Sequence, residues 1–155
     1  MLAFDYRKLL LPGVHDATLT EIEATFGRFQ RSERRSKLFR KLQDYVKALA
    51  LAECASSVII DGSFVMGCVD EPEDIDLIVV LPKGWDWNAG LKPFQYNVIS
   101  KRRVKREFAF DLFVVEANSK EEEKWVRFLS GVNVKWCDLL GWPLNSKKGL
   151  VRVIL

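Results

Sequence analysis

The chain has 155 residues and a net charge of +3, with apolar and charged fractions ordinary for one globular domain with one core. No apolar run approaches the ~20 residues of a membrane span, and no charged-then-apolar leader opens the sequence. Cys54, Cys68 and Cys137 have neither the number of a disulfide framework nor the spacing of a zinc site. The expectation is a cytoplasmic protein without membrane contact, folded as a single domain over residues 1–155 with residues 1–18 as an N-terminal arm.

The arm carries Pro12-Gly13 and little periodicity, the pattern of an extended stretch or turn. His15, the only histidine, follows that turn and reads as a structural hydrogen-bonding group rather than a base. Thr18 and Glu21 form a capping box that opens a short helix, and Gly27 ends it. A longer helix is predicted from about Ser32 to Glu53, with Leu38, Leu42, Tyr45, Val46 and Leu49 as its apolar stripe. The basic residues Arg28, Arg31, Arg34, Arg35, Lys37, Arg40 and Lys41 crowd the same segment, mostly off the stripe, and read first as a solvated face.

Ser57-Val58-Ile59-Ile60 is short and β-branched enough for a buried strand, broken by Gly62-Ser63. After a loop with Gly67 and Pro72 comes Asp74-Ile75-Asp76, running into Leu77-Ile78-Val79-Val80-Leu81, a strand stopped by Pro82. A loop with Trp85 and Trp87 follows, its aromatics read as a cap on the core before a base-stacking platform. A short helix is predicted within Phe94 to Lys105, ending in the basic group Lys101, Arg102, Arg103, Lys105 and Arg106. Phe108 to Val115 reads as a strand with a single acid, Asp111, in its middle. Ser119 and Glu122 open another helix through about Leu129, closed by Gly131. Leu150 to Leu155 alternates weakly and is expected to pair as a last strand, and Lys148 before it is expected to be an exposed turn lysine.

Residues two apart in a strand share a face, so Asp74 and Asp76 are predicted side by side. Two carboxylates that close repel one another unless a cation or solvent compensates, and paired hard oxygens suit Mg²⁺. Gly62 lets the backbone approach a ligand, and Ser63 adds N–H and hydroxyl donors for a phosphate oxygen. An Asp-x-Asp by itself is ordinarily a pair of solvated strand-end acids. The ordered set of strand, Gly-Ser, Asp-x-Asp, strand and third acid is what points to a site.

Gly62-Ser63, Asp74-x-Asp76 and Asp111 resemble the signature of the nucleotidyltransferase fold superfamily, the group that includes DNA polymerase β; the likeness covers roughly Val58 to Glu116. Leu11-Pro12-Gly13-Val14-His15, Asp61-Gly62-Ser63-Phe64-Val65 and Lys148-Gly149 look like a family of small stand-alone bacterial and phage nucleotidyltransferase-like proteins. The resemblance implies a minimal α/β (α+β) fold, a twisted mixed sheet with helices packed on one face and a catalytic face left open. It implies Mg²⁺ or Mn²⁺ at Asp74, Asp76 and Asp111, with Gly62 and Ser63 holding the β- and γ-phosphates of a nucleoside triphosphate. The implied reaction moves a nucleoside monophosphate to an acceptor hydroxyl of RNA, tRNA or a protein, rather than of a small molecule. A toxin–antitoxin or phage-defence setting suits so small a member, and a second copy or a partner subunit would supply acceptor surface the chain lacks. The alternative is a catalytically silent module of the same fold that binds nucleotide, nucleic acid or a partner protein.

Overall fold

Short β-branched runs supply a five-stranded sheet, and amphipathic helices cover it. The computed structural model describes residues 2–155. The strands are β1 (Val14–Asp16), β2 (Ser57–Asp61), β3 (Asp76–Leu81), β4 (Asp111–Glu116) and β5 (Leu150–Ile154). Their order is β1-β5-β2-β3-β4, in an open, twisted, mixed sheet. β2 runs antiparallel to both β3 and β5, while β3–β4 and β1–β5 are parallel.

The expected helices are α1 (Leu19–Phe26), α2 (Arg34–Ala52) and α5 (Lys120–Leu129). The Thr18–Glu21 box is reciprocal, and Ser119 caps α5 by accepting from Glu122 N–H. The segment predicted as one short helix is two, α3 (Pro93–Ile99) and α4 (Lys101–Phe108), separated at Ser100, whose side chain caps α4. α6 (Val134–Leu140) is a further helix, too short and too irregular in its apolar spacing to be predicted.

α1 to α4 bury the main core on one face, where Leu42, Tyr45 and Leu49 meet Val58, Ile60, Leu77 and Val79. The face expected to stay open is partly covered by α5, whose Leu129, with Trp125 against it, packs on Ile59, Ile78 and Val115. The arm ends as β1, so the sheet draws in both ends of the chain. Gly149 N–H donates to Leu10 O at 2.9 Å, a His15 ring nitrogen lies 2.5 Å from Leu11 O, and a Cβ on Gly149 would run into both Leu11 and His15.

Three expectations are corrected. Phe108 ends α4, so β4 begins at Asp111 and that acid stands at the strand's exposed start rather than inside an apolar run. β3 begins at Asp76, which leaves Asp74 in the incoming loop. Lys148 is no exposed turn residue: its side chain is 3% exposed and reaches Asp61. Of the loop tryptophans, Trp85 packs against the core while Trp87 is exposed.

Candidate functional site

β2 delivers Asp61 to the sheet's end, and the chain then turns sharply at Gly62, whose φ of 95° lies in the left-handed region. A Cβ there would sit 2.7 Å from the Asp74 carbonyl oxygen, so only glycine lets the two loops close on each other. Ser63 follows in a single 3₁₀ turn. Its N–H and its hydroxyl both donate to Asp74 Oδ1, at 3.0 and 2.8 Å, and its oxygen accepts from Glu73 N–H at 2.9 Å. Asp74 is thus aimed by Ser63 and not by the pleat of a strand. The donors expected to meet phosphate are engaged with this carboxylate.

Beyond the turn, three aspartates form a transverse row. Asp61 pairs in register with Asp76, and Asp76 with Asp111, across β2, β3 and β4. All three fall on the α5 side of the sheet, being two residues from Ile59, Ile78 and Phe113 respectively. Asp61 receives Lys148, and Asp111 receives Lys105 at 3.0 Å. The Asp76 carboxylate between them has no hydrogen bond or ion pair among the described residues. Burial foremost, and then the charges of Asp74, Asp61 and Asp111, push its carboxyl up to about 7, with Lys148 opposing. Burial also holds the Asp61 carboxyl above its usual range, against the nearby ammonium of Lys148.

Two clefts meet here. One, of about 400 Å³, is bounded by Asp61, Gly62, Ser63, Lys148 and the apolar Val132 and Trp136. The other, of about 560 Å³, is bounded by Asp111, Lys101, Arg102 and Lys105. Asp74, Asp76, Phe128 and Leu129 line both. All five predicted site residues are therefore gathered at one end of the sheet. As the side chains stand, no three His, Cys, Asp or Glu groups among the described residues lie close enough to share a metal ion. The flanking acids are turned to their own partners. The donor set still fits a hard cation in kind, because Asp76 is a carboxylate held among like charges with no counter-ion of its own.

Residues 2–154 match a family of unknown function, DUF6932. The chain belongs to that family. No curated protein and no solved structure matches it.

Two residues that hold the candidate site together were not predicted. Arg35, 1% exposed, lies on the buried side of α2, where the other basic residues do not. Its guanidinium donates to the carbonyl oxygens of Phe26, Phe64, Met66 and Val69, closing the loop after Ser63 around itself. Arg34 extends the clamp to Pro72 O and Glu73 O, each at 2.8 Å. Burial lowers the Arg35 guanidinium to about 10, which leaves it charged at neutral pH. Lys148 is the second: its Nζ bridges Asp61 and the Leu129 carbonyl oxygen, tying α5 to the end of β2. Among the described residues no helix is long and apolar enough to cross a membrane.

Proposed function

We propose that this chain transfers a nucleoside monophosphate from a nucleoside triphosphate to an acceptor hydroxyl, with Asp74, Asp76 and Asp111 as the acidic centre. The observation that carries the reading is Asp76, a carboxylate without a counter-ion, in register with Asp111 and beside Asp74 at the junction of two clefts. Binding alone would not require mutually repelling acids placed there.

Mg²⁺ or Mn²⁺ held by these three acids would neutralise charge on the triphosphate and on the attacking and leaving oxygens. The chain's own residues do the rest. The Gly62–Ser63 turn lies against the first cleft, and a triphosphate there draws the Ser63 donors from Asp74, releasing that carboxylate to turn toward Asp76. Asp111, exposed at the mouth of the second cleft, is placed to take the proton of the acceptor hydroxyl. A bond forms between that oxygen and the α-phosphorus, the α–β phosphoanhydride bond breaks, and pyrophosphate leaves. Positioning and charge neutralisation supply the acceleration in such chemistry.

A binding-only module is the second reading, favoured by the separate partners of Asp61, Asp74 and Asp111 and by the lack of a preformed three-acid cluster among the described residues. Incubation with α-labelled triphosphates, Mg²⁺ or Mn²⁺, total RNA and cell lysate separates the two. Label that moves to RNA or protein with the wild type and not with Asp76→Asn supports transfer. Binding of triphosphate without any label transfer supports the silent module.

A further inference from the structure

We propose that the cleft between α4 and Phe128 binds the end of a single-stranded nucleic acid, which presents its terminal hydroxyl at Asp76 and Asp111. The inference rests on the transferase reading for the hydroxyl's fate, but the binding surface stands on its own observations.

One wall of the cleft is cationic. Lys101, Arg102 and Lys105 face it from successive turns of α4, and all three are exposed. The Arg102 guanidinium makes no hydrogen bond or ion pair among the described residues, so its charge is open to a ligand. The cleft's lining is also aromatic, beside the cations. Phe113 stacks on Trp125 with ring centroids 4.1 Å apart, Trp125 meets Phe128 edge to face at 5.7 Å, and Lys101 Nζ lies 5.3 Å from the Phe113 ring centroid. Phe128 ends this ladder 68% exposed at the junction of the clefts, one edge on Trp125 and the rest of its ring open to solvent. Cations that track a phosphodiester backbone beside an aromatic face that accepts a base are the two elements of single-strand recognition.

The arrangement selects a strand end and disfavours a duplex. A base inside a duplex is stacked on both sides and offers no face to Phe128, and about 560 Å³, the size of a small-ligand site, takes an unpaired strand end more readily than the wide end of a duplex. The acids lie at one end of the cationic wall, so a polyanion lying along α4 meets them only where its last phosphate gives way to a neutral hydroxyl.

The test is fluorescence anisotropy with labelled strands of about 12 nucleotides, without triphosphate or divalent metal, as single-stranded RNA, single-stranded DNA and duplex. Wild type is compared with Lys101→Ala/Arg102→Ala, with Phe128→Ala and Phe128→Tyr, and with Arg40→Ala/Lys41→Ala, which removes the same charge from the exposed face of α2. The single strands are expected to bind more tightly than the duplex, and the RNA and DNA arms show which sugar is preferred. The α4 double variant should lower the slope of log K against log salt by about 1.4, the loss of two phosphate contacts. Phe128→Ala should weaken binding roughly 10-fold, Phe128→Tyr should restore it, and the α2 variant should bind as wild type.

Equal affinity for duplex and single strand, equal loss in the α2 and α4 variants, or no effect at Phe128 would overturn the inference. So would transfer of label to protein in the α-labelled triphosphate experiment while strand binding ignores α4; the transferase reading would then survive. Strand binding localised to α4 and Phe128 with no transfer of label has the opposite meaning: the surface stands and the transferase reading fails.

Discussion

Asp76 lies beside Asp111 in register across two parallel strands, yet only Asp111 has a cation at its carboxylate, Lys105 at 3.0 Å. Asp76 is pushed up to about 7 by burial and by its acidic neighbours, so the folded protein holds that proton more tightly than the unfolded chain does. The sign follows directly. The stabilisation is full below the unfolded pKa near 4 and is lost as pH rises through about 7. Urea titrations should show wild-type stability falling over that window, by about 4 kcal/mol at most, relative to Asp76→Asn, which should be the more stable protein at pH 8. Added Mg²⁺ should recover part of the difference in the wild type and none in Asp76→Asn. A wild type and variant with parallel pH profiles would contradict the assignment.

Lys148 and Asp61 are both buried, and each is the other's charge partner. Lys148→Met removes the ammonium but leaves the Asp61 carboxylate enclosed, which should cost about 3–5 kcal/mol in urea denaturation. The double variant Asp61→Leu/Lys148→Met removes both polar groups and should recover most of that loss. If the double variant is as unstable as the single one, the pair contributes through packing of its side chains rather than through its charges.

Arg35 offers a sharper case, because one side chain serves four carbonyl oxygens. Arg35→Met keeps the apolar stem and strands those acceptors in the interior, an expected loss of about 3–5 kcal/mol. Arg35→Lys should not rescue it, since an ammonium cannot span acceptors that the planar fork reaches at once. Native-state hydrogen exchange should locate the damage in residues 64–70, with the amides of β3 and β4 still protected.

Much of this framework was legible because it rests on short-range signals. The Thr18–Glu21 box, the stripe from Leu38 to Leu49 and the β-branched runs around Ile59 and Val79 each announce their element through period or cap. That Gly62, Ser63, Asp74, Asp76 and Asp111 lie together at one end of the sheet was legible through their order, Gly62-Ser63 before Asp74 and Asp76 before Asp111. What escaped depends on contacts between residues far apart in the chain. Lys148 sits next to Lys147, a pairing that reads as a solvated turn, and only the insertion of β5 between β1 and β2 carries it inside to Asp61. Arg35 lies among exposed basic residues, and nothing local distinguishes the one that turns inward. Asp61 did leave a signal. It follows Ile59 at strand period and so shares that residue's face, and the sheet pairing then sets Asp76 and Asp111 on the same face. His15 and Gly149 read as isolated motif fragments at the two ends of the chain, and the structure brings them into contact.

Gly62 and Gly84 isolate how much of the site depends on close approach of two backbones. Both have positive φ, 95° and 82°, which costs an alanine about 1 kcal/mol, and at Gly62 a ψ of 178° adds a backbone region essentially reserved for glycine, worth about 1–3 kcal/mol. Their surroundings differ. At Gly84 a Cβ would find nothing within 4 Å, whereas at Gly62 it would press on the Asp74 carbonyl oxygen at 2.7 Å and on the Ile75 backbone. Gly84→Ala should therefore cost about 1 kcal/mol, and Gly62→Ala about 2–4 kcal/mol, the excess coming from the glycine-only backbone region and from overpacking against a backbone that cannot give way easily. The displaced loop takes Asp74 away from Ser63, so the amide resonances of Ser63 and Asp74 should shift in Gly62→Ala and stay in place in Gly84→Ala. Transfer activity, where the proposed reaction holds, should fall at least 10-fold in the first variant and be retained in the second, because a misplacement of about 1 Å at a positioned carboxylate is enough to cost that much. Equal stability losses in the two variants, with unmoved Ser63 and Asp74 resonances, would mean that the turn tolerates a side chain and that Asp74 is placed by something other than its approach to Gly62.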